Sequence, residues 1–169
     1  MADINYHRVL SDQEAVALVE LLFFAYRDFV ADPDHVLEGL NFGRAHHRVL
    51  HFVGRDPGMT VASLLDILKI TKQSLARVLK ELIDKGYVYQ KEGEQDRRQR
   101  LLYLTASGET LRQKLIAPQI ARFKRAAREI QEGQSHDLRS LLFHLINPEN
   151  QLEAEKRINT ADTGSNPDE

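Results

Sequence analysis

Two groups of residues supply most of the chemistry this chain can do. In the first, Lys72, Gln73, Arg77 and Lys80 are interleaved with Leu75, Val78, Leu79 and Leu82, which repeat at helical spacing. A helix over 72–84 would turn the apolar set toward a core and leave the donors on the opposite face, around Ala76, a residue small enough for close approach. On such a face arginine can pair with guanine O6 and N7 in a major groove, and glutamine with adenine N6 and N7. Thr71 and Ser74 add hydroxyls at the helix start, where backbone N–H groups favour phosphate. The second group lies in "EQDRRQRLLYLT" (94–105), where Arg97, Arg98 and Arg100 surround Asp96 before the chain turns to leucine and tyrosine. Arginine on a protruding tip suits a narrow minor groove of negative potential. Asp96 would repel phosphate, so its expected task is to hold a neighbouring arginine through a charge-assisted hydrogen bond. A plain loop ion pair is the milder reading of Asp96, and a solvated face the milder reading of the helix.

These residues need elements to carry them. "TVASLLDILK" reads as a short helix capped by Thr60, and "TKQSLARVLKELIDKG" as a second, capped by Thr71 and closed by Gly86. Two helices joined so tightly make a helix-turn-helix. The runs "YVYQKE" (87–92) and "RLLYLT" (100–105) are strand-like, with "GEQDRRQ" as a charged loop and Gly93 as a turn residue. A helix-turn-helix followed by such a hairpin is a winged helix, which places the arginines on the wing.

Upstream, "SDQEAVALVELLFFAYRDFVADP" opens with Ser11 and Glu14 at capping-box spacing and is expected to end before Pro33. Its apolar face, from Val16 through Phe23 to Val30, is wide enough to require two neighbours, or one neighbour and a second subunit. A second helix is expected over about 42–53, stopped by Gly54. After Thr105 comes a long amphipathic helix that Pro118 should bend, or deprive of one hydrogen bond. "SHDLRSLLFHLI" comes next as a further helix stopped by Pro148, and the tail from about Asn159 reads as flexible.

The 169 residues suit one domain with an oligomerisation element, and the net charge of -2 rules out a general polycation. The charge is unevenly spread: residues 1–68 hold five Lys and Arg against ten Asp and Glu, whereas 69–100 hold nine against five. That local excess is an anion-facing surface. The absence of cysteine excludes disulfides, thiolate catalysis and thiol redox sensing. No signal sequence or membrane-length apolar run is present, so the expectation is a cytoplasmic protein with no membrane partner. No nucleophile with a base, no phosphate-binding glycine loop and no G-x-S-x-G is found, which argues against an enzyme, and no cofactor is called for.

"DRRQRLLYLT" resembles the pattern D-x-R-x-x-x-L-x-L-T of the MarR family of bacterial winged-helix regulators, with Asp96, Arg98, Leu102, Leu104 and Thr105 in place. "LARVLKELIDKGYV" is similar to that family's recognition helix running into its first wing strand, and the element order fits over about 11–146. The resemblance implies a mainly α fold, with one domain over 1–148. Within it a winged helix-turn-helix lobe would span about 42–105, flanked by dimerisation helices at about 11–31 and 106–147; residues 149–169 form a C-terminal extension, flexible at its end. It further implies a homodimer on a pseudo-palindromic double-stranded DNA site, with Arg98 in the minor groove, Asp96 as its organiser and the helix from Thr71 in the major groove. The function implied is promoter repression, although geometry leaves the sign of regulation open.

Many members of the family answer to small aromatic compounds held between the dimer helices and the DNA-binding lobe. Here Arg44, His47, Arg48 and His51 on the second helix, with Phe23 and Tyr26 on the first, are the candidate group for an anionic aromatic effector. His47 and His51 also stand at i, i+4, but two imidazoles without a third ligand do not close a zinc site, so no metal is assigned. The alternative function is a winged helix that binds protein instead of DNA. That reading expects an apolar or mixed-sign helix face and no cationic wing.

Overall fold

A computed structural model of the chain describes residues 10–93, 96–129 and 134–159. Glu94 and Gln95 of the expected wing loop, and the tail expected to be flexible beyond Asn159, lie outside them.

Helix α1 (Asp12–Glu38) starts with the expected capping box: the Ser11 hydroxyl accepts the Glu14 N–H at 3.3 Å, and the Glu14 carboxylate accepts the Ser11 N–H at 3.0 Å. The helix does not end before Pro33. It runs through that residue to Glu38, with Pro33 buried. Proline lacks the N–H that would bond the carbonyl four residues back, and that carbonyl, on Phe29, instead accepts the Gln119 side-chain amide at 3.3 Å. A neighbouring helix thus repairs the defect that was expected to end α1.

Helix α2 (Arg44–Arg55) begins two residues later than the spacing suggests and continues through Gly54. Its N-terminus has no Ser or Thr; instead the Nδ1 of His46 accepts the Gly43 N–H at 3.0 Å. Gly54 permits close packing and does not stop the helix, because a Cβ there would lie 2.3 Å from Cδ of Arg112 and 2.9 Å from Leu104. Val49, Leu50 and Val53 of α2 are fully buried and form the centre of the core with Leu64, Leu75, Leu82, Leu102 and Leu115.

A two-residue strand, β1 (Met59–Thr60), leads into α3 (Val61–Leu68), and a turn with Lys69 at φ 50° leads on to α4 (Lys72–Asp84). Thr60 and Thr71 cap α3 and α4 as expected, each accepting the N–H of the serine three residues on at 3.1 Å. Gly86, at φ 73°, closes α4: its N–H reaches the Ile83 carbonyl and the Tyr87 N–H reaches that of Leu82, both at 2.9 Å.

The chain then forms the hairpin β2 (Val88–Glu92) and β3 (Arg100–Leu104), antiparallel and paired from Val88 opposite Leu104 to Glu92 opposite Arg100. β1, which the sequence presents only as a helix cap, adds to the other side of β3, giving the order β1-β3-β2. Two residues are too few to show period-two alternation, so the strand leaves no pattern to read. With α2, α3 and α4 this sheet makes a winged helix-turn-helix.

Thr105 fastens the hairpin to the next helix: its hydroxyl donates to the Gly86 carbonyl at 2.6 Å and accepts the Gly108 N–H at 3.0 Å, capping α5 (Ala106–Glu129). α5 continues unbroken past Pro118. α6 (Gln134–His144) comes after it, and the expected extension opens with a further helix, α7 (Pro148–Asn159). Pro148 stands at the first helical position, where a missing N–H costs nothing, so it starts a helix as readily as it stops one. Among the described residues no helix is long and apolar enough to cross a membrane.

Candidate nucleic-acid interface

The burial pattern of α4 separates its two faces as its sequence requires. Leu75, Val78, Leu79 and Leu82 are buried, while Thr71, Lys72, Gln73, Ser74, Ala76, Arg77 and Lys80 are exposed. The hydroxyls at its start are already engaged, Thr71 donating to Ser74 at 2.9 Å while it caps the helix. Their remaining capacity, together with the first N–H groups, faces outward. Lys80 is ion-paired with Asp84 one turn on, and that carboxylate raises the pKa of its ammonium. Lys72, Gln73 and Arg77 are therefore the donors of this face whose side chains have no protein partner among the described residues.

At the wing tip Asp96 holds backbone and not guanidinium: its Oδ1 accepts the Arg98 N–H at 2.9 Å and its carbonyl accepts the Gln99 N–H at 3.0 Å. Asp96 thus holds a neighbouring arginine through its carboxylate, as expected, with the backbone N–H of Arg98 as the donor. A short carboxylate closing a turn on an N–H two residues on fixes the path of the tip and leaves the neighbouring side chains free to project. Gly93 completes the turn, since a Cβ there would lie 2.7 Å from the Asp96 carbonyl oxygen. Arg100 is drawn back from the tip, donating to Glu92 across the strands at 2.9 Å and to the Arg97 carbonyl at 3.2 Å. Arg97 and Arg98 remain exposed, without a side-chain partner among the described residues.

A concavity of about 450 Å³ lies between α1, α2 and α5. Tyr26, Arg44, His47, Arg48 and His51 line it as expected, but Phe23 does not: it is an exposed residue one turn before Tyr26, with its ring against Phe24 at 5.5 Å. Sequence reasoning missed the third wall, Ile116, Gln119, Ile120, Phe123 and Lys124 of α5, although Ile120 and Phe123 belong to that helix's apolar face. Arg44 is committed to Asp34 at 2.8 Å, whereas Arg48 makes a long contact of 3.5 Å to the Tyr26 hydroxyl. Burial, then the Arg48 charge, lowers the pKa of His47 despite the opposing pull of Asp34. Burial first, then His47, Arg112 and Arg55, lowers that of His51 to about 4. The cavity therefore presents neutral imidazoles and a lightly held guanidinium on an apolar lining. Among the described residues, no cluster of three or more potential metal ligands is formed.

A model of the MarR family matches residues 40–99, from the corner before α2 to the wing. The HTH-type transcriptional regulator PetP of Rhodobacter capsulatus is 42% identical over 139 residues, 82% of this chain and 84% of that protein. The chain belongs to the MarR family. Its fold agrees with that of the MarR transcriptional regulator from Methanosarcina mazei Go1, at 25% identity and a TM-score of 0.62 over 81% of this chain and 97% of that one. Streptococcus pneumoniae FabT, solved in complex with DNA, matches with a TM-score of 0.64 at 21% identity, covering 78% of this chain and 94% of that one. As a MarR-family transcriptional regulator, this chain carries its two cationic elements on helix α4 and on the wing.

Proposed function

We propose that this protein is a homodimeric transcriptional regulator that binds a specific double-stranded DNA site and represses by occupying it. The observation that carries the reading is the pairing of two cationic surfaces with different reach: the donor face of α4, and the wing tip with Arg97 and Arg98 uncommitted. α4 enters a major groove through Lys72, Gln73 and Arg77, with Thr71 and Ser74 against the backbone at its start, while the wing places Arg98 in the adjacent minor groove. Lys80 and Arg100, both ion-paired, add charge near the phosphates and do not read bases. FabT, a fold neighbour, is solved on DNA.

Two copies are needed because α1 leaves Val16, Val19, Leu22 and Phe23 uncovered, and α6 and α7 expose Leu138, Leu141, Leu142 and Leu152. A C2 pair joined along these helices presents two α4 helices to half-sites about one turn, ~34–36 Å, apart. The cavity between α1, α2 and α5 accepts a small anionic aromatic effector, which lies against Phe29, Phe52 and Phe123 and pairs with Arg48.

Arg98→Ala tests the reading. The expected result is weaker binding to the operator duplex and a shallower salt dependence, by about one phosphate contact's worth of slope, roughly 0.9 in log K against log salt. Unchanged affinity and unchanged slope contradict it. A protein-binding winged helix would give no affinity for duplex in either variant, and the same titration reads that outcome.

A further inference from the structure

The buried face of α4 is held by leucine and valine, whose packing has no preferred direction and permits a helix to roll or slide slightly. A helix that reads base edges must be fixed more closely than that, because hydrogen bonds weaken steeply with angle. Two directional contacts meet it at the corner between α1 and α2.

The ring of His46 is only 7% exposed. Its Nδ1 accepts the Gly43 N–H at 3.0 Å, so the ring proton sits on Nε2, which lies 2.8 Å from Oε2 of Glu81 on α4. This is a charge-assisted hydrogen bond from a neutral, tautomer-locked imidazole. The ring stacks on Phe42 at 4.3 Å and 15°, and the ammonium of Lys85 lies 4.4 Å from the centre of the Phe42 ring while donating to the Leu40 carbonyl at 2.5 Å. Glu81 and Lys85 are four residues apart, one helical turn. The segment 40–46 therefore grips the C-terminal end of α4 at two successive turns. Glu81 also follows Arg77 by one turn and Gln73 by two, so rotation about the helix axis that breaks the Glu81 bond swings both of those donors.

We propose that His46, acting through Glu81, is a positioning residue for base reading: it sets the roll of the recognition helix, and with it the aim of Gln73 and Arg77. This rests on the DNA-binding reading above. Glu81→Ala and Glu81→Gln separate the bond from its charge, since both remove one carboxylate near the DNA while only glutamine retains an acceptor for the Nε2–H. Affinities of the intact protein for an operator duplex and a shuffled duplex give the specificity ratio. The expectation is that Glu81→Ala lowers the ratio about tenfold, the loss of one good charged hydrogen bond, while Glu81→Gln stays within about threefold of wild type.

Binding to the shuffled duplex and its salt slope should match in the two variants. Alanine is the better helix former, and Glu81 is half-exposed, so failure to fold is not the expected outcome; thermal midpoints check it. Equal ratios in Glu81→Ala, Glu81→Gln and wild type overturn the positioning role while leaving specific DNA binding intact. A wild-type protein with no preference between the duplexes overturns the DNA reading and this inference with it. Nitrogen NMR of the imidazole reads the bond without DNA: an Nδ1-protonated His46 ring also overturns it.

Discussion

At the scale of single residues, burial lowers the pKa of the two histidines that line the cavity between α1, α2 and α5. His47 and His51 stand one turn apart, and their shared face was readable from spacing. That this face opens onto a largely apolar lining was not, because the third wall comes from α5, some seventy residues on. Burial keeps both rings neutral, and it holds His51 at about 4 against an ordinary 6.5. The unfolded chain takes up that proton near the ordinary value and the folded chain only near the lowered one. Between the two values the unfolded state binds more protons, so stability falls on acidification, by at most on the order of 1 kcal/mol per pH unit. The thermal midpoint is expected to drop between about pH 6.5 and about pH 4, and His51→Gln should flatten that slope. An identical slope in the variant would place the proton elsewhere. Lys80 and Arg100, expected as DNA contacts, also have ion-pair partners that their types do not reveal, Asp84 one turn away and Glu92 across the strand. The first partner could have been found from i, i+4 spacing, the second only once the hairpin register was known.

At the scale of elements, the winged helix could be read because its caps are local. Thr60, Thr71 and Gly86 act on groups within a few residues, and each stands where expected. Errors fell where a distant residue decides a boundary. Pro33 should end α1 by local rules, and Gln119, 90 residues beyond Phe29, supplies the donor that the Phe29 carbonyl lacks. Gly54 should end α2, and instead it makes room for Arg112. Gln119→Leu leaves the half-buried Phe29 carbonyl without that donor and should destabilise by about 1 kcal/mol in denaturant unfolding. Pro33→Ala restores the backbone N–H, so the loss on Gln119→Leu should shrink in that background. Strict additivity of the two substitutions would show that the amide is not replacing the missing bond.

At the scale of the molecule, the proposed dimer rests on the apolar face of α1. Only its C-terminal third is buried, at Val30, Pro33 and Leu37, while Val19 and Phe23 stand more than half exposed. The sequence pointed to this by placing apolar residues around more of the helix than one neighbour can cover. Sedimentation at micromolar concentration is expected to show a dimer, and Val19→Asp to shift it to monomer by burying a charge that has no partner. A wild-type monomer would remove the symmetry on which the two half-sites depend. What the protein does turns on whether the α4 face and the wing read sequence or merely attract phosphate. Anisotropy with the duplex from upstream of the protein's own gene and a shuffled duplex of equal length, each at two salt concentrations, decides this. A sequence reader binds the native duplex at least ~10³-fold tighter and keeps that preference as salt rises, and this is the expected outcome. Equal, weak binding to both duplexes that collapses with salt would overturn it and reduce the interface to an electrostatic patch.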